Sequence, residues 1–405
     1  MNQSSRKVRH RKSGAPKTRR ERRDDRYAVR EELYTMSSLK RVRDCGRPIG
    51  STVGIRVSGT GTDRVAGHAG LSTCGSVWSC PVCSAKVANV RQQDIEKAVN
   101  THLSNGGAVA MLTLTMRHHK GQALADLWEA LSKAWKAATN GSGWKRDKQH
   151  FSVRHYIRVV EVTHGDNGWH VHVHALLFGD DFSNAVELTS LGQRMFARWS
   201  RRLQKDGFRA PIEHKGGLKI QKITPGKAAA QALADYFTKA GMDPDVEADE
   251  ATKQARQESK NAREMAHKVS MEAARGDLKT AKHGNRTPWG ILSDFLRTGD
   301  MADLDLWHEY EKASKGKRQV VWSRGLRDEF DLDPEKTDEE IAEEDHEGET
   351  IALIDATDYR RGCRISARFP AQLLDAAEDH GRPGLDQVLH RYGLSPTLDV
   401  PEYMK

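Results

Sequence analysis

The segment GWHVHVHALL (168–177) sets His170, His172 and His174 at alternate positions, with Val171 and Val173 between them. Side chains two apart on a β-strand share a face, so the three imidazoles project one way and the valines the other. The run before it, HYIRVVEVTHG (155–165), alternates in the same manner, and Asn167-Gly168 is a dipeptide suited to a tight type I′ hairpin turn. With Asn167 and Gly168 in the turn, Glu161 lies across from His174. With Asp166 and Asn167 there instead, Glu161 lies across from His172. Either register puts the carboxylate on the histidine face, its Cβ about 4.5–5.5 Å from that of the residue it opposes. Two imidazoles and a carboxylate make a mixed nitrogen and oxygen site with coordination positions to spare. Such a site suits Mn2+ or Mg2+ acting on a phosphate, with zinc also open. An ordinary polar strand face accounts readily for one histidine, and much less readily for three in alternation opposite a glutamate.

A phosphodiester under attack needs its charge neutralised and a nucleophile in line. In LADYFTKAG, Tyr236 and Lys239 are three apart and share a helix face. A tyrosine hydroxyl, with a reference pKa of about 10, needs a cation such as Lys239 or a metal to favour its ionised form. The product of its attack is a phosphotyrosine ester, which conserves the bond energy and permits rejoining. Taken alone, Tyr236 reads as a core aromatic; its neighbours give it weight.

The elements that must position these groups follow from pattern. AVAMLTLTMR (108–117) is apolar and β-branched enough for a buried strand, and Leu124, Leu127, Trp128, Leu131 and Trp135 follow at helical intervals. The 155–179 hairpin comes next. Leu188, Leu191, Met195, Trp199 and Leu203 mark a further helix, GLKIQKI (217–223) a strand, and GKAAAQALADYFTKAG a helix closed by Gly241. Strand, helix, two strands, helix, strand, helix predicts an α+β fold: an antiparallel sheet with a central metal-binding hairpin and flanking helices.

Around this unit, the first thirty residues carry twelve Lys or Arg against three acids, and residues 1–31 read as a disordered basic arm. Residues 40–105 form a cysteine-rich module ending in a helix, and 106–244 the hairpin-containing domain. Residues 245–285 read as a charged helical insertion, 286–327 as an amphipathic helical extension, 328–350 as an acidic linker and 351–405 as a small terminal segment. The 405 residues have a net charge of +9 and a mean hydropathy of −0.72, with no apolar run of membrane-spanning length, so a cytoplasmic protein with a polyanionic partner is expected. Five cysteines is an odd number, and three crowd into Cys74, Cys80 and Cys83, which favours metal ligation over a disulfide framework.

Taken together, MLTLT (111–115), GWHVHVHALL (168–177) and the Tyr236–Lys239 pair resemble the three motifs of replication-initiator (Rep) proteins of rolling-circle plasmids, especially actinobacterial ones, within the HUH endonuclease superfamily. The resemblance spans much of residues 40–330. It implies that His172 and His174 are the paired metal ligands, with His170 in the same row. It implies further that Tyr236 becomes linked to the 5′ phosphate of a nicked origin strand and that the freed 3′ hydroxyl primes a polymerase. Origin DNA, a host helicase and a polymerase are the implied partners. Some plasmid initiators place a water-activating glutamate one helical turn before the tyrosine; Ala232 stands there, and Asp235 is the nearest carboxylate. CGSVWSCPVC (74–83) also fits the family. Cys80 and Cys83 form a CxxC knuckle that Cys74 and Cys45 would complete as a structural zinc site, with His68 an alternative to Cys45 and Cys363 unrelated. A redox CxxC is the rival, without a thioredoxin-like context to support it. For the whole chain, the rivals are a zinc-dependent DNA-binding protein without catalysis, and an HUH relaxase or transposase.

Overall fold

A computed structural model describes residues 18–223 and 285–402 of the chain. It begins with α1 (Arg19–Met36), α2 (Lys40–Arg43), β1 (Thr52–Ser58), β2 (Val65–Ala69) and α3 (Pro81–Ser104). There follow β3 (Ala108–Thr115), α4 (Leu124–Ala138), α5 (Gly141–His150), β4 (Val153–Gly165), β5 (Gly168–Gly179), α6 (Ala185–Lys205) and β6 (Leu218–Ile223). The C-terminal part runs α7 (Pro288–Thr298), α8 (Met301–Ser314), β7 (Val320–Trp322), α9 (Leu326–Glu329), α10 (Asp338–Glu343), β8 (Glu349–Asp355), α11 (Ala356–Ile365) and α12 (Phe369–Arg391). The helix expected around Tyr236 and nearly all of the charged insertion lie outside the described residues.

Helices pack on two antiparallel sheets, one of five strands in the order β6-β3-β5-β4-β7 and one of three in the order β2-β1-β8. Alternation along the larger sheet gives each face its own core. One face presents Leu112, Leu114, Val160, Val162, Val171 and Val173 to α4, α6 and α8, whose Trp128, Trp199 and Trp307 are fully buried. Truncating such a tryptophan to alanine costs about 3–5 kcal/mol, transfer and cavity terms together. The opposite face is apolar at one end only, where Val109, Met111, Ile157, Val159, Leu176 and Phe178 meet Ile95, Ala98 and Val99 of α3. Toward the hairpin turn the same rows become Thr113, Thr115, Glu161, Thr163, His170, His172 and His174. The polar constellation is therefore the stretch of sheet where the sequence stops offering α3 an apolar surface.

Four expectations about the chain's organisation are corrected. Residues 19–31 belong to α1, capped by a Thr18–Glu21 capping box. Self-repulsion does not unfold this segment, because its arginines meet acids of α12. Arg23 bonds Glu378 at 2.9 Å and also Asp375, and Arg20 bonds Asp379 at 2.8 Å. The acidic stretch 328–350 is not a free linker: α10 buries Ile341 and Ala342, and Asp338 pairs with Arg91 of α3 at 3.3 Å. The terminal segment does not stand apart either. β8 pairs antiparallel with β1, Val53 opposite Ile354, and Tyr359, Phe369 and Leu373 cover the resulting sheet. Within the stretch expected to be helical throughout, Val320–Trp322 adds an edge strand beside β4.

Candidate functional site

The β4–β5 register pairs Glu161 with His172, Thr163 with His170 and Gly165 with Gly168, so Asp166 and Asn167 form the turn. Neither has positive φ, whereas Gly168 sits at φ +83°. The geometry is thus a type I turn followed by a left-handed glycine, in place of the expected type I′ turn. A Cβ on residue 168 would lie 3.2 Å from Cα of Lys120, so glycine answers both a conformational and a spatial demand there.

Glu161 reaches between two rings: its Oε2 lies 3.4 Å from Nε2 of His172 and 3.3 Å from Nε2 of His174. The two ring nitrogens are 3.0 Å apart. These three donors form one of two groups among the described residues that could hold a metal ion. Bonds of about 2.0–2.2 Å to a shared ion set neighbouring donors about this far apart, so the residues fit one. Nδ1 of His174 lies 3.1 Å from Oγ1 of Thr113, the middle residue of MLTLT. A ring that gives Nε2 to a metal carries its proton on Nδ1, and Thr113 then accepts it and fixes the ring's orientation.

The structure does not bring His170 into this cluster. The donor atoms close enough together to share an ion come from Glu161, His172 and His174, and the His170 ring is engaged elsewhere. Its Nδ1 meets Nε2 of His118 at 2.9 Å, and Nδ1 of His118 donates to the Asn167 carbonyl at 3.0 Å. Burial, with His172 and His118 adding to it, pushes the His170 imidazole down to about 3. Sequence reading passed over His118, since only the folded turn brings residues 118 and 167 together.

Lys219 of β6 was also missed. It lies across from Thr113, which itself lies across from His174, so all three share a face. Two strand spacings separate Lys219 from His174, roughly 10 Å between Cα atoms. A lysine side chain covers most of that distance. Lys219 is exposed at the edge of the sheet, and its side chain has no ion-pair partner among the described residues.

The second group is Cys45, Cys74, Cys80 and Cys83, all buried and none in a disulfide. Sγ of Cys45 lies 3.7 Å from that of Cys80 and 3.6 Å from that of Cys83, and Cys74 lies 3.7 Å from Cys83. A tetrahedral zinc with bonds of about 2.3 Å has ligand edges of about 3.8 Å, so the spacing fits. Cys80 caps α3 and Cys83 lies in its first turn. Gly46 donates its N–H to the Ser72 carbonyl at 2.6 Å, and Ser72 donates back to Arg47 at 2.8 Å, which holds the other two cysteines alongside. His68 is not a ligand; its Nδ1 meets the Tyr27 hydroxyl at 3.3 Å.

Among the described residues no helix is long and apolar enough to cross a membrane. No solved structure matches the chain. Residues 69–361 match the Rep_1 family, described as replication protein. A protein named "Protein rep" from Streptomyces lividans is 28% identical over 400 residues, covering 82% of each chain. A "Neomycin resistance protein" from Streptomyces cyanogenus is 32% identical over 133 residues, covering 27% of this chain and 30% of that one. The family match takes in the histidine hairpin, Thr113, Lys219 and three of the four clustered cysteines, and on its extent the chain belongs to the replication protein family, as a Rep protein of the actinobacterial plasmid type.

Proposed function

We propose that this protein initiates rolling-circle replication of a plasmid by nicking one strand of origin DNA, joining the 5′ phosphate to Tyr236 and leaving a 3′ hydroxyl for a polymerase to extend. The observation that carries the reading is the convergence of Glu161, His172 and His174 at the open end of the sheet, in a chain of the replication protein family. A divalent cation held by these three, Mn2+ or Mg2+, would supply Lewis-acid polarisation of a phosphate oxygen.

The chain's own residues supply the rest. Thr113 orients His174. Lys219 extends from β6 toward the same ground and neutralises a non-bridging oxygen of the scissile phosphate, holding the strand in line. The Tyr236 hydroxyl, its ionised form favoured by Lys239, attacks phosphorus. The new O–P bond forms as the bond to the 3′ oxygen breaks, and the leaving oxygen takes a proton. The ester keeps the energy of the broken linkage, so a 3′ hydroxyl attacking in the reverse sense rejoins the strand. Asp235 is the nearest carboxylate able to activate water for release of the protein.

The test is incubation with a 3′-labelled single-stranded origin oligonucleotide and Mn2+, followed by denaturing electrophoresis. A covalent protein–DNA adduct that disappears in Y236F and in H172A is the expected result. An adduct that persists in Y236F, or none in the wild type, sinks the assignment.

A further inference from the structure

The proposed histidine site acts on one strand of the DNA. Outside that site, α11 presents a basic face. At about 100° per residue, Arg360, Arg364 and Arg361 fall within an arc of about 100°. Ala356, Tyr359, Gly362 and Cys363 occupy the opposite side, with Tyr359 fully buried on the β1–β8 sheet. All three guanidinium groups are exposed, and none pairs with a carboxylate among the described residues. The acids nearest in sequence bond backbone amides, although Asp355 also lies within the electrostatic reach of Arg360. Asp355 accepts the amides of Thr357 and Asp358 at 2.7 Å and 3.3 Å, and Asp358 accepts that of Ser395 at 3.2 Å. Arg360 also donates to the Pro48 carbonyl at 3.4 Å, which brings exposed Arg47 and Ile49 to the edge of the same face.

We infer that α11, with Arg360, Arg361 and Arg364, is a docking surface for the phosphate backbone of duplex DNA. Charge complementarity names a polyanion, and the absence of rings names the duplex form. Single-strand surfaces stack bases on exposed aromatics. No aromatic is among the exposed large apolar side chains of the described residues: Tyr27, Tyr359 and Phe369 of this module are buried, half-buried Tyr34 is covered by the Arg47 guanidinium, and half-buried Tyr392 packs on Phe369. A rigid helix face with unpaired arginines suits backbone contact and carries no base readout. The inference rests on DNA being this chain's partner, and not on the nicking chemistry.

The experiment measures fluorescence anisotropy of the full chain, without added metal, against a random-sequence duplex of about 30 base pairs and its single strand over a salt series. Each arginine seated on a phosphate contributes about 0.9 to the slope of log affinity against log salt, so R360Q/R361Q/R364Q is expected to flatten the duplex slope by about 2.7. A control removing three exposed or half-exposed charges elsewhere, K145Q/R146Q/K148Q, is expected to change it by less than about 1. The charge-keeping R360K/R361K/R364K retains the slope. An unchanged slope in the glutamine triple, an equal loss in the control, or an equal loss on single strand and duplex overturns the inference. Should the triple fail to fold, each single glutamine variant is expected to cost about 0.9. Failure of this test leaves the covalent-adduct experiment untouched, and the reverse holds as well.

Discussion

Thr113 shows what one hydroxyl can do at a distance from the chemistry. Its Oγ1 stands 3.1 Å from Nδ1 of His174, and losing it frees the ring to rotate away from Glu161 and His172. T113V, which keeps the β-branched shape of a strand residue, is expected to weaken Mn2+ binding about 10-fold, as loss of an outer partner does elsewhere. Calorimetric titration with Mn2+ reads this directly, and unchanged affinity refutes the orienting role. Lys219 predicts a different signature. K219A is expected to lower adduct formation about 100-fold while Mn2+ affinity stays as it was, and K219R to recover part of the loss. An equal fall in metal affinity would make Lys219 part of the metal site instead of a phosphate clamp. His68 carries a pH prediction. Burial, helped by Arg30 and Arg23, pushes its imidazole down to about 3 from the usual 6.5. A histidine depressed in the folded state contributes stability above about pH 6.5, and that contribution is lost as pH falls from there toward 3. The thermal midpoint is expected to fall more between pH 7.5 and 5.5 in the wild type than in H68Q, and identical falls would remove His68 from the account.

At the scale of elements, the hairpin was legible and its register was not. Alternation over 155–179 fixes which residues share a face, and Glu161 joins the histidines with the turn at either position. The choice between turns depended on backbone angles at Asp166, Asn167 and Gly168, and the close approach of Lys120 to Gly168 weighs on it from outside the hairpin. G168A is expected to destabilise the domain by about 1–2 kcal/mol, combining left-handed strain with the clash at Lys120. Chemical denaturation measures it, and a change below about 0.3 kcal/mol would mean that the turn adapts freely. His118 and Lys219 were invisible for a related reason. Each reaches the site through a contact between segments far apart in sequence, and no periodicity within a strand records which strand lies beside it. The cysteine group was more legible, because CxxC at the start of α3 and a third cysteine six residues before already imply a common ion.

The whole molecule closes on itself in a way the linear reading divided into parts. An acidic stretch and a terminal segment looked separable from the cysteine module, yet β8 completes the sheet that β1 and β2 begin, across some three hundred residues of chain. α12 holds α1 through Arg23 and Glu378, and buried Glu311 of α8 accepts from Ser37 and Ser38 just beyond α1. The cysteine group sits under the same assembly, with Cys45 between α2 and β1. A chain ending at residue 348 therefore loses more than a tail. Val53 and Ile55, fully buried in the intact protein, would be uncovered on a strand left paired with β2 alone. At about 25 cal/mol per Å2, exposing two such side chains costs several kcal/mol, before the loss of Tyr359, Phe369 and Leu373 above them. The truncated chain is expected to aggregate, as an apolar edge strand does. With zinc loaded into the cysteine group, its removal by a chelator is expected to act on the same module from its other side, raising amide exchange in β1, β2 and β8 while the hairpin strands β4 and β5 stay protected. Hydrogen exchange with mass spectrometry before and after chelation separates the cases. Uniform deprotection of both sheets would show that the two modules unfold as one unit, and no change in β1 would detach the cysteine group from the sheet beside it.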